Sequence, residues 1–359
     1  MADRRLFHAV LVVVAVRMLT TILPVSAAPT ELLSPPQYKV ASSIPIPGPA
    51  RWDYLHMDTR SRRLFIAHGN SVDVLDVDKA KLVGVIKPTP GVHGVAIDHR
   101  DGLGFASAGG INSVVIFNLS TLQIVKNIPV GHMPDCIIYD RATDRVFAFD
   151  GGSNEASAID CKSKRLIGNI PLDGRPEFAV AGDGGYIYVN VESKSQVAKI
   201  NARTLRVVAV WPLAPGQVPS GITIDTDKHL VFSTCHNGMM TIINDRTGRL
   251  VATPSIGTGP DAACFDRAWK LAFSSNGEGT ISVIGWGLHG MLQTLNTIAT
   301  EPGARTMAID SKNHDLLVCT AKPDPAPLPA GTPFWRKPYL YGTLHVLILQ
   351  PVETNAVAR

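Results

Sequence analysis

The sequence predicts an all-β protein, a seven-bladed β-propeller of four-stranded antiparallel blades. Three observations carry this. An aspartate closing a short apolar segment recurs at Asp58, Asp98, Asp140, Asp183, Asp225, Asp266 and Asp310, at intervals of 40, 42, 43, 42, 41 and 44 residues. Each interval holds four strand-like segments, best seen as GVHGVAID, LGFASA, SVVIFNL and QIVKNIPVG between Gly91 and Gly131. They are rich in Val, Ile and Phe and are separated by Gly, Asp, Asn and Ser, which supply the dihedrals of tight turns. No interval shows the 3.6-residue apolar period of a helical repeat, and a period in the low forties with four strands per unit is that of a propeller blade.

In chain order, residues 1–27 have the pattern of a signal peptide: Arg4 and Arg5, an apolar run from Ala9 to Val16, and the small residues Val25-Ser26-Ala27. That run is shorter than the roughly 20 residues a bilayer-spanning helix needs. Residues 28–37 are a Pro- and Ser-rich linker. Residues 38–350 form the propeller, and 351–359 a C-terminal tail. Blade seven lacks an outer strand of its own, because the chain ends soon after its third. The segment YKVASSIPIPG, Tyr38 to Gly48, matches QIVKNIPVG in pattern and is expected to complete blade seven and close the ring. Blade seven also carries one long insertion, Lys322 to Gly342, with six prolines and Phe334, Trp335 and Tyr339. A loop of that length in a compact domain is either a functional cover or an excursion, and one over the propeller mouth would be a lid.

The run WDYLHMDTRSRRLFIAHGNSVDVLDVDKAKLVGVI, followed by GVHGVAID, RPEFAVA and GARTMAID, resembles the YncE-type, YVTN-repeat family of exported seven-bladed propellers from about Trp52 to Leu349. The resemblance implies the fold and export to the periplasm or exterior. It implies no single chemistry. YIYVNVES, Tyr186 to Ser193, lies nearest the family's own wording.

Formal net charge is +4; without the three Arg and one Asp of residues 1–27 the balance is +2. Basic residues are spread over the turns of every blade, so nucleic-acid binding is not expected. Five cysteines, an odd number without CxxC or CxxCH spacing, give no disulfide framework, zinc knuckle or haem attachment. Segments of the GxSxG, GxxxxGKS and HExxH kinds are absent. A monomer with no transmembrane segment in the mature chain is expected.

Topology locates the candidate site. In a four-stranded meander the turn before the first strand and the turn between the second and third lie on one face, so seven of each converge on one mouth. The aspartates that close the first strands lie on the opposite face, where they stabilise turns. The mouth positions change identity between blades, and departure from a repeat is where function is expected. They give as candidate ligand-binding residues Trp52, Asp53, His93, Asp135, Arg175, Glu177, Asp261, Asn276, Arg305 and Trp335. The carboxylates, imidazole and guanidinium groups among them either satisfy one another or bind a ligand. In the second case the arginines would hold an anionic or hydroxyl-rich molecule and Trp52 would offer a stacking face. The leading expectation is a binding or scaffold protein recognising a small polar molecule or an envelope protein. The alternative is a hydrolase or lyase for a sugar-like or lactone substrate, with His93 or Glu177 as base and Arg175 stabilising an anion. No cofactor motif is evident; the oxygen-rich mouth could hold a divalent cation such as calcium.

Overall fold

The structure, a computed structural model, describes residues 35–329, 332 and 337–352. The segment 1–27, the linker up to residue 34, Phe334, Trp335 and the tail beyond Val352 lie outside the described residues. Seven four-stranded sheets account for the rest. In blades one to six the four strands follow one another in sequence and pair with their neighbours, as in blade two: Val92–Asp98, Leu103–Ala108, Ser113–Asn118 and Ile124–Pro129. The first, innermost strands of the other blades are Leu55–Asp58, Pro134–Asp140, Pro176–Ala181, Pro219–Asp225, Pro260–Asp266 and Thr306–Asp310.

The ring closes as its sequence requires. The strand Gln37–Pro45 pairs antiparallel with His345–Val352 and becomes the outermost strand of blade seven. Ile44 and Ile46 point from this segment into a cluster with Leu64, Ile66, Leu317 and Val346, so residues of blades one and seven share one core. Closure thus removes a free sheet edge and buries apolar area at once.

The second and third strands of each blade are buried nearly throughout, as in LGFASA and SVVIFN, because neighbouring blades cover both their faces. The outer strands alternate; Arg206–Pro212 runs exposed, half-buried, exposed along its length.

The repeating aspartates build turns on the face opposite the mouth. Asp58, Asp98, Asp140, Asp225, Asp266 and Asp310 are each buried, and each accepts on Oδ1 the backbone N–H two residues later, at 2.8 to 3.3 Å. Four residues after each of these aspartates the backbone enters the left-handed region: Arg62, Gly102, Asp144, His229, Lys270 and His314 have φ between 56° and 67°. Asp183 departs from the pattern: its blade turns through Gly184 and Gly185, both at positive φ, and the aspartate is exposed. All five cysteines are unpaired. Among the described residues no helix is long and apolar enough to cross a membrane.

Candidate functional site

The chain enters each innermost strand from the mouth side, so the residues just before or at the start of those strands stand around the axis. Asp53, His93 and Asp135, from blades one, two and three, meet there. His93 Nδ1 lies 2.6 Å from Asp53 Oδ2 and 3.6 Å from Asp135 Oδ1. From blade four, Glu177 sits 3.7 Å from the half-exposed Arg175, which is an equal 3.7 Å from Glu192. Asp261 of blade six accepts from Arg305 Nε at 2.7 Å and from the Ser220 hydroxyl at 3.1 Å. Seven of the residues singled out in the sequence therefore converge.

Tyr54 organises them and was missed by sequence reasoning. Its hydroxyl donates to Glu177 Oε1 at 3.2 Å, and its ring meets Phe178 edge-on with centroids 4.5 Å apart. Tyr54 belongs to blade one and Phe178 to blade four, and in a ring of seven these innermost strands can meet only across the axis. The tyrosine therefore floors the mouth. In DYLHMD it reads as an ordinary core residue of an alternating strand; its one signal is its place beside Trp52 and Asp53 at the mouth end of blade one.

The electrostatics follow from this crowding. Burial, then the Asp53 carboxylate, pushes the Asp135 carboxyl up to about 7, although His93 and Arg175 oppose the shift. Burial, then Asp135, Asp261 and Glu192, pushes Glu177 well above the usual carboxylate range. Asp261 is raised by burial against the pull of Arg305. Burial works against a charged His93, but the hydrogen bond to Asp53 and the Asp135 and Asp53 charges outweigh it and raise the imidazole. Glu177 Oε2 is buried and accepts no hydrogen bond. The mouth is short of positive charge.

Three expectations need correction. Trp52 does not offer an open stacking face: it is 6% exposed, with Tyr339 at a centroid distance of 4.9 Å and the Arg305 guanidinium 5.6 Å from its ring. Asn276 does not reach the mouth; as the last residue of its strand it turns inward, fully buried, donating to Thr280 and Ser282 and accepting from Ser274. The arginines are not free anion clamps, since Arg305 is held by Asp261 and Arg175 lies between two glutamates. Trp335 lies outside the described residues. The base of its insertion is built: Pro323 bridges Tyr339, Leu340 N–H donates to Lys322, and Asp324 N–H donates to Pro338. Gly303, at φ +88°, leaves the room that the Tyr339 ring occupies. The insertion thus springs from the rim beside Arg305.

Asp53, His93 and Asp135 each offer a ligand atom within 4.8 Å of the others, a spacing at which the three could hold a divalent cation.

No family model matches this chain, and no curated protein is similar to it. Among solved structures it is similar to a chain of the hydrazine synthase of Kuenenia stuttgartiensis, at 16% identity and a TM-score of 0.67, over 82% of this chain and 95% of that one. At that identity the likeness shows the fold alone. Sheet topology and this likeness together define the class: a seven-bladed β-propeller with an acidic, tyrosine-floored mouth.

Proposed function

We propose that the protein is an exported binding propeller whose mouth captures a small polar ligand bringing positive charge, either an amine or a divalent cation. One observation carries the reading: the Glu177 and Asp135 carboxyls converge with Asp53 and Asp261 around Tyr54, and the buried Glu177 Oε2 accepts no hydrogen bond, its cationic neighbour being Arg175 Nη2 at 3.7 Å. A cationic ligand supplies what the site lacks; an anionic one would face four carboxyl groups and two arginines already engaged. Export rests on the pattern of residues 1–27, and sequencing the N-terminus of the secreted protein tests it. The binding claim is tested by a thermal-shift screen of amines, neutral sugars, sugar acids and divalent ions, with and without chelator. Saturable stabilisation by an amine or a divalent ion, lost in Glu177→Gln, supports it; selective stabilisation by sugar acids contradicts it. Silence across all classes would transfer the role to a protein partner.

A second reading has its own observation. The Asp53–His93 pair at 2.6 Å orients an imidazole, and Asp135 beside it titrates near neutrality, the arrangement of a base with an adjacent acid. A hydrolase or lyase working this way would lose turnover of its lactone or sugar-like substrate in His93→Ala while still binding it.

A further inference from the structure

The turn face carries a second cluster. At four of the seven interfaces, the buried aspartate that ends an innermost strand is met by a basic side chain from the next blade. Asp58 takes His99 at 2.8 Å, Asp225 has Lys270 at 3.7 Å, Asp266 takes His314 at 2.5 Å, and Asp310 takes Arg62 at 2.7 Å. Three of those partners, Lys270, His314 and Arg62, occupy one repeat position, the left-handed residue four after the aspartate of their own blade. Asp140 instead closes on Thr143 within its own turn.

Between blades two and three the sign at that position is reversed. The residue facing Asp98 is Asp144, and beside it stands Cys161, whose N–H donates to the Asp144 carbonyl at 3.3 Å. The equivalents of Cys161, set by the same backbone bond, include Val77, Leu119 and Ala202. Asp98, Asp144 and Cys161 each present one ligand atom within 4.8 Å of the others. Asp98 is fully buried, and its Oδ2 has no hydrogen-bond partner. The one comparable oxygen among the six turn aspartates, Asp310 Oδ2, has Arg62 Nη2 at 2.6 Å. Asp144 is held by Tyr139 Oη at 2.8 Å and Arg100 Nη1 at 2.9 Å, which fixes its carboxylate and leaves lone pairs on both oxygens.

We propose that Asp98, Asp144 and Cys161 bind a borderline divalent cation of the zinc class, which takes the place of the basic side chain found at four of the other interfaces and clamps blade two to blade three. A thiolate with two carboxylates suits zinc, whose bonds of about 2.0–2.3 Å place tetrahedral ligands roughly 3.3–3.8 Å apart. Separations of up to 4.8 Å need contract by no more than about 1.5 Å. Asp144, one quarter exposed, opens the fourth position to water and gives the ion a way in. Binding displaces the thiol proton to solvent, so sulfur coordinates as thiolate.

The test is cobalt titration of the metal-stripped full chain, followed by zinc competition. Cobalt is expected to produce a near-ultraviolet thiolate-to-metal absorption saturating at one equivalent and abolished by zinc. Zinc is expected to raise the melting temperature. Cys161→Ala, which places at this position the residue blade four has at Ala202, should fold, lose the absorption and show a smaller zinc response; Asp98→Asn should weaken cobalt binding at least tenfold. Cobalt held by the Asp53, His93 and Asp135 cluster gives no thiolate band, so the two sites are distinguishable. No thiolate band in the wild type, or one that survives Cys161→Ala, overturns the proposal. So does an Asp98→Asn variant that binds cobalt as the wild type does, since the Asp98 carboxylate would then be no ligand.

Discussion

Ring closure by the N-terminal strand is open to a direct quantitative challenge. Replacing Ile44 and Ile46 together by alanine removes the two side chains that plug this strand into the shared core of blades one and seven, at 6% and 1% exposure. Each such truncation costs about 2–5 kcal/mol, from lost transfer energy and the cavity left behind. The two residues lie in one cluster, so their costs are not strictly additive, and about 4–8 kcal/mol is expected for the pair. For a chain of this length, roughly 2 °C per kcal/mol converts that to a fall of about 8–16 °C in melting temperature. The control is Val40→Ala on the same strand, half exposed, which should change stability by less than about 0.5 kcal/mol. Differential scanning calorimetry of the three proteins decides the matter. If the double variant melts with the control, the strand does not close the ring and the reasoning fails.

Asp150 is fully buried with Oδ1 unpartnered, and burial holds its carboxyl at about 7, so the native state binds its proton more tightly than the unfolded chain does. Stability should therefore fall as pH rises from about 4 to 7, by up to about 4 kcal/mol for this group; Asp150→Asn should flatten the melting-temperature profile, and parallel profiles would contradict the assignment. Tyr54→Phe removes the donor to Glu177 and should cost about 1–2 kcal/mol in denaturant unfolding. Gly303→Ala adds a Cβ against the Tyr339 hydroxyl at a left-handed φ of +88°, so about 1–3 kcal/mol should be lost and limited proteolysis should cut the 322–342 insertion sooner. Cuts elsewhere first would show that Tyr339 does not anchor it.

The architecture was legible because each blade states the same local code: an apolar strand, an aspartate accepting the N–H two residues on, and a left-handed residue two further. Seven copies of a local rule average out its exceptions, including the shifted turn at Asp183. The mouth was legible only as a set of positions. Meander topology brought Asp53, His93, Asp135, Glu177 and Asp261 to one face, but which of them touch depends on ring diameter, a long-range quantity. That is why Tyr54 was overlooked: its partner Phe178 is 124 residues away, on the far side of the axis. Trp52 was misread because nothing local announces that Tyr339 covers it. Asn276 was misread because strand register, not loop position, decides whether the last residue of a strand faces in or out. The reversed charge at Asp144 stands in the aligned repeats beside Arg62, Lys270 and His314, and acquires meaning only once each is seen to face the preceding blade's aspartate.

The measurement that reaches the central claim most directly is calorimetric titration of the stabilising amine or divalent ion into the protein, repeated in buffers of different ionisation heat. A positive ligand in the mouth must meet carboxylates, so Glu177, raised by burial and by Asp135, and Asp135, raised by burial and by Asp53, have to release protons as it binds. Net proton release near neutral pH, diminished in Asp135→Asn and in Glu177→Gln together with affinity, is the expected result. Binding with no proton release and undiminished affinity in both variants would contradict the account and place the ligand elsewhere on the ring.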